Sequence, residues 1–142
     1  MRRTNRIPAL LLAAALAAGC DSDEPITPTD PGTTAPEISE TFSETLTING
    51  ARTHTFVVGR AGTVTARIAG PTSEDSDVVG LSLGTWNGVV CQIILANDNA
   101  TLNTATASVT GTASTAGNFC VRVYDVGRLT RSLDYSVTVT HF

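Results

Sequence analysis

Gly80-Leu81-Ser82-Leu83-Gly84 fits G-x-S-x-G, and Asp98, Asp125 or Asp134 and then His141 follow it. Serine, acid, histidine is the chain order in which one large class of hydrolases sets out its nucleophile, orienting carboxylate and general base. The chemistry works only where the serine sits on a sharp turn from strand to helix, beside N–H groups that hold an oxyanion. Ser82 instead lies within a run where Val79, Leu81 and Leu83 alternate with small residues, and no helical pattern follows. His141 is the penultimate residue, where fraying would spoil a general base. The expectation is therefore a chain that is not an enzyme. His54, the other histidine, is expected to fill a strand position, and no P-loop, dinucleotide fingerprint or zinc spacing occurs.

Two stretches carry hard oxygen ligands: Ser73-Glu74-Asp75-Ser76-Asp77 before the fourth expected strand, and Asn97-Asp98-Asn99 after the fifth. Calcium takes six to eight oxygens at roughly 2.4 Å, often gathered from adjacent loops. Asp75, Asp77, Asp98 and Asp125 are thus the candidate ligands for Ca2+, the single cofactor the residues suggest. The competing use of the same residue types is local hydrogen bonding in turns. Trp86, beside Asn87-Gly88, is a candidate contact for a sugar or a protein, set against simple packing at a hairpin end. Arg122, Asp125, Arg128 and Arg131 are expected to pair on the surface rather than to bind an anion.

The start of the chain is an address. Arg2, Arg3 and Arg6 precede the apolar run 7–18, which is too short to span a bilayer, a task needing ~20 residues. Leu16-Ala17-Ala18-Gly19-Cys20 resembles a lipobox, in which a small-residue cut exposes a cysteine whose thiol takes a diacylglycerol. Residues 1–19 are then a lipoprotein signal peptide, and Cys20 is the lipidation site. Residues 20–40 read as a disordered, lipid-anchored acidic linker rich in Pro and Thr: from Asp21 it carries four prolines, six acids and no base. Of nine basic residues three leave with the signal, so thirteen acids face six arginines. That balance argues against nucleic acid as a partner. With Cys20 acylated outside the cytoplasm, Cys91 and Cys120 remain as a pair and are expected to form a disulfide joining neighbouring strands or two sheets.

These residues must be positioned by strands. From Thr41 the pattern has period two, with Val and Thr prominent and no amphipathic helical window. Phe42, Leu46 and Ile48 alternate, Asn49-Gly50 has the chemistry of a tight hairpin, and His54, Phe56 and Val58 continue on the return strand. Val64, Ala66 and Ile68 make a third strand, and Val79, Leu81 and Leu83 a fourth. After Asn87-Gly88 the run 89–95 is almost continuously apolar, which predicts a central strand buried on both faces. Three further alternating segments, around Ala105 to Val109, Phe119 to Val123 and Tyr135 to Val139, bring the total to about eight. The fold class expected for 41–142 is all-β: an antiparallel β-sandwich of jelly-roll type.

The segment Gly117-Asn118-Phe119-Cys120-Val121-Arg122-Val123-Tyr124-Asp125, followed by Tyr135-Ser136-Val137-Thr138-Val139, resembles the closing strands of the bacterial pre-peptidase C-terminal domain. Leu46 to Val58 and Gly62 to Ile68 resemble its opening strands, and Asp77 to Leu83 resembles its acid-then-leucine strand. The resemblance implies a jelly-roll sandwich that assists secretion or binds surfaces, with calcium in some members; the cysteine pair is not part of the family's general pattern. Together these readings predict a non-catalytic lipoprotein of the bacterial cell envelope, a binding module for a protein or glycan at the periplasmic face or cell surface. The alternative is an envelope chaperone or an inhibitor acting on secreted hydrolases.

Overall fold

β-branched and small apolar residues at alternate positions favour extended backbone with one face turned inward. The computed structural model describes residues 36–71, 77–104 and 107–142; the signal, Cys20, most of the linker and Asp75 lie outside the described residues. Eight strands result: β1 Ile38–Leu46, β2 Ala51–Val58, β3 Gly62–Ala69, β4 Val78–Trp86, β5 Cys91–Thr101, β6 Ser108–Ala113, β7 Gly117–Tyr124 and β8 Leu133–His141. They form two antiparallel four-stranded sheets, ordered β1-β8-β3-β6 and β2-β7-β4-β5. Every connection except β4 to β5 crosses from one sheet to the other, the double Greek key of a jelly roll. The expected fold class holds.

The inner faces alternate as their sequences require. Val79, Leu81 and Leu83 of β4 and Val121 and Val123 of β7 meet Val64, Ala66 and Ile68 of β3 and Val137 and Val139 of β8 in one buried cluster. Few aromatics take part, so the core depends on close packing of branched aliphatic side chains, and Phe56 is its one fully enclosed phenylalanine.

Four expectations change. Asn49-Gly50 does not close a hairpin: β1 pairs with β8 and β2 with β7, so the turn carries the chain between sheets. Asn49 alone takes the positive φ, at 55°, and Ile48 is exposed in the turn rather than alternating into the core. The apolar run after Asn87-Gly88 is not central. β5 is the outer strand of its sheet, and the strand covered on both faces is β4. Asn97, Asp98 and Asn99 lie within β5 and not in a loop after it. Finally, β6 runs Ser108–Ala113, with Ala107 just before it and Ala105 outside the described residues.

β5 also slips against β4 twice. Leu83 faces Leu95 while the next residue, Gly84, faces Ile93; Val79 faces Ala100 while Leu81 faces Asn97. At each step β5 carries one residue more than its neighbour, a β-bulge.

Candidate functional site

The outer face of the β2-β7-β4-β5 sheet gathers most of the residues singled out from sequence. On β4 the outward positions are Gly80, Ser82 and Gly84, and all three are buried. Small residues on an outward face are buried only if something lies across them, and two links do. A side chain at Gly80 would collide with the Tyr124 ring of β7, whose hydroxyl donates a hydrogen bond to Asp98 of β5. A side chain at Gly84 would collide with the Gln92 carbonyl of β5, because the hairpin curls over the sheet at that point. The curl carries Cys91 to Cys120 on β7, with 5.8 Å between their Cα atoms. Two strands separated by a third in a flat sheet would stand roughly 10 Å apart.

The disulfide forms, but where a link between neighbouring strands or between the two sheets was expected, it joins β5 to β7 across β4. It closes a 29-residue separation, which constrains the unfolded chain by roughly 3–4 kcal/mol. Burial pushes the Tyr124 hydroxyl up to about 12, and its hydrogen bond to Asp98 adds to the rise.

G-x-S-x-G is thus the seat of two crossings and not a nucleophile elbow. Ser82 is fully enclosed and donates to the Arg122 carbonyl at 3.4 Å. His141, on β8, projects between the sheets, where Nε2 lies 2.9 Å from Glu40 Oε1 and the ring sits 5.3 Å from Phe56. Serine and histidine occupy opposite faces of different sheets and do not meet. His54 fills a half-buried inward strand position: its Nε2 shares a hydrogen bond of 2.8 Å with the Tyr135 hydroxyl, and the ring stacks on Phe42 at 4.9 Å. Burial holds the imidazole below its ordinary 6.5, partly opposed by nearby Glu44 and reinforced by Arg52.

The carboxylates proposed for calcium are engaged separately. Asp77 accepts from Arg131 Nη2 at 2.9 Å, and Asp98 accepts from Tyr124. Asp125 Oδ1 accepts from the N–H groups of Gly127, Arg128 and Leu129 at 2.8, 2.9 and 3.1 Å, while Oδ2 accepts from Asn49 at 2.8 Å. These bonds, led by the one from Asn49, hold the Asp125 carboxyl below its usual range. Among the described residues no three His, Cys, Asp or Glu side chains converge on a common point, so Asp77, Asp98 and Asp125 form no shared donor set.

What the outer face does present is a groove and a strip. Trp86, half-buried at the end of β4, lines a groove of about 290 Å3 with Thr53, Val89, Val90, Cys91 and Arg122. Beside it the hairpin and β5 expose Val89, Val90, Ile93 and Ile94, while Leu95, opposite Leu83, turns inward towards Gly111 of β6. Inside the hairpin tip Asn87 Oδ1 accepts from the N–H groups of Val89 and Val90 at 2.9 and 2.8 Å, and Gly88 takes φ +96°, so the tip has a set shape. Sequence reasoning missed the strip because it read apolar continuity as burial.

Fold and outer face together define a disulfide-linked jelly-roll sandwich with a built surface groove. Among solved structures the chain resembles the Aeromonas hydrophila protein PliG, a periplasmic lysozyme inhibitor of g-type lysozyme, at 17% identity and TM-score 0.51 over 72% of this chain and 84% of that one. It also resembles the Yersinia pseudotuberculosis-derived mitogen YPM, at 15% identity and TM-score 0.53 over 75% of this chain and 88% of that one. At these identities the likeness is one of fold. No family model and no curated protein matches the sequence.

Proposed function

We propose that this chain is a non-catalytic protein-binding module of the bacterial cell envelope, held to a membrane by a lipid on Cys20 and docking its partner on the β4–β5 hairpin. The observation that carries the reading is the apolar strip: Val89 is 79 %, Val90 52 %, Ile93 43 % and Ile94 65 % exposed. Residues 87–97 contain no charge. Contiguous exposed aliphatic side chains mark interaction surfaces, since they add nothing to folding and lower solubility. A protein offers such a strip matching side chains, whereas a glycan would leave hydroxyls unpaired against valine and isoleucine. A narrower form makes the partner a secreted hydrolase and this chain its inhibitor; the fold shared with a periplasmic lysozyme inhibitor supports that form.

Cross-linking in envelope fractions tests the docking surface. A defined protein captured by the wild-type chain and lost with Ile94→Asp is the expected result, and inhibition of that protein's activity would select the narrower form. Binding only to polysaccharide arrays, lost on Trp86→Ala, would replace the protein reading with the glycan one. Labelled palmitate should enter the wild-type chain and not Cys20→Ala.

A further inference from the structure

Arg122 stands exposed on β7, a strand hydrogen-bonded on both sides, by β2 and by β4. Among the described residues it makes no ion pair, although Arg52 pairs with Glu44 at 3.0 Å and Arg131 with Asp77 at 2.9 Å. Asp125, its expected counter-charge, is saturated by backbone N–H groups. The two crossings of β4 flank the arginine. On one side lies the Cys91–Cys120 disulfide; on the other is the Tyr124 ring, whose centroid is 5.8 Å from the guanidinium carbon. The backbone beneath is fixed by the Ser82 hydroxyl. The side chain lines the same groove as Trp86, Val89 and Val90.

We infer that this groove anchors the docking surface and takes a carboxylate of the partner protein, an aspartate or glutamate flanked by aliphatic residues; the inference rests on the protein-binding reading above. A guanidinium presents parallel N–H donors that fit a carboxylate in a bidentate pair, the strongest hydrogen-bonding mode ordinary side chains make. Indole and valine walls exclude water from one side of that pair and strengthen it. Residues 41–142 carry seven acids against six arginines, so selection of an acid rests on the guanidinium of Arg122 and not on the charge of the domain. An acidic sugar fits less well: besides Arg122, the groove's hydrogen-bonding side chains are the Thr53 hydroxyl and the Trp86 indole N–H, and the sugar's remaining hydroxyls would face Val89 and Val90.

The test displays a random peptide library against the immobilised full chain, then compares each selected peptide with its Glu→Gln or Asp→Asn analogue on wild-type, Arg122→Gln and Val89→Asp proteins. Unchanged melting temperature and absence of free thiols confirm that Arg122→Gln, an exposed substitution, folds. The expected consensus has one acid among aliphatic residues. Arg122→Gln should weaken it about tenfold or more, the amide analogue should weaken it equally on wild type, and the two changes together should cost no more than either alone. Aliphatic peptides lost on Val89→Asp but indifferent to Arg122→Gln would overturn the carboxylate anchor and leave the docking surface standing. Failure to select any peptide sensitive to Val89→Asp would overturn both. Uronate glycans on an array that bind wild type and not Arg122→Gln would overturn the choice of a protein ligand.

Discussion

Asp125 holds the Asn49 turn to the loop after β7 by accepting four backbone N–H groups, a role that needs its charge and its geometry together. Its carboxyl is held below the ordinary 3.8. The stabilisation is therefore full above that value and is lost as pH falls through the lowered folded-state value. Asp125→Ala is expected to lower the melting temperature by several degrees at neutral pH and to flatten the acid limb, with Asp125→Asn intermediate. His54 acts in the same direction, in a higher pH window. Its folded-state value lies below 6.5, so as pH drops through that region the unfolded chain takes up more protons and stability declines. A thermal-melt series from about pH 7 to about pH 5 should fall for the wild type and run flatter for His54→Gln. Arg122 shows why sites hide at this scale. An arginine's type is legible in the sequence, but whether a neighbour will pair with it depends on what else that neighbour must satisfy.

At the scale of the element, β4 is shaped by what crosses it. Gly84→Ala places a methyl group against the Gln92 carbonyl, so the hairpin must uncurl and carry Cys91 away from Cys120. Thiol titration of the folded protein should then find free thiols where the wild type has none at these two positions. Replacing both cysteines with serine should cost roughly 3 kcal/mol, read from denaturant midpoints, and release the hairpin tip to solvent exchange. Which strands exist was legible, because alternation is a local property of Val64-Thr65-Ala66 or Tyr135-Ser136-Val137. Which strands pair was not. Asn49-Gly50 has the same turn chemistry whether it closes a hairpin or carries the chain to the other sheet, and the choice is made by β8, some ninety residues later. The glycines of β4 could be read as a catalytic signature for a related reason: a seat for crossing groups and a serine elbow both require small residues two apart.

Across the whole molecule the aliphatic residues divide into two populations that composition does not distinguish. Leu81, fully enclosed at the centre of β4, supports both layers, and Leu81→Ala should cost about 2–5 kcal/mol. Ile94, 65 % exposed, supports neither, and Ile94→Ser should change stability by no more than about 0.5 kcal/mol while abolishing docking. Unfolding and binding measured on the same two variants would separate these roles.

The two bulges of β5 set a further limit. An outermost strand offers its free N–H and C=O groups to any other extended chain, and one that bears isoleucines and no charge from Cys91 to Asn97 invites uncontrolled growth into fibres. Here the extra residues at Ile94 and in the Asp98-Asn99 step throw that row of groups out of phase at two places. A copy of the protein laid alongside would lose step before a ladder could form. The strip can be oily without being a template: its side chains remain open to a selected partner, while its backbone resists polymerisation even where many copies crowd together.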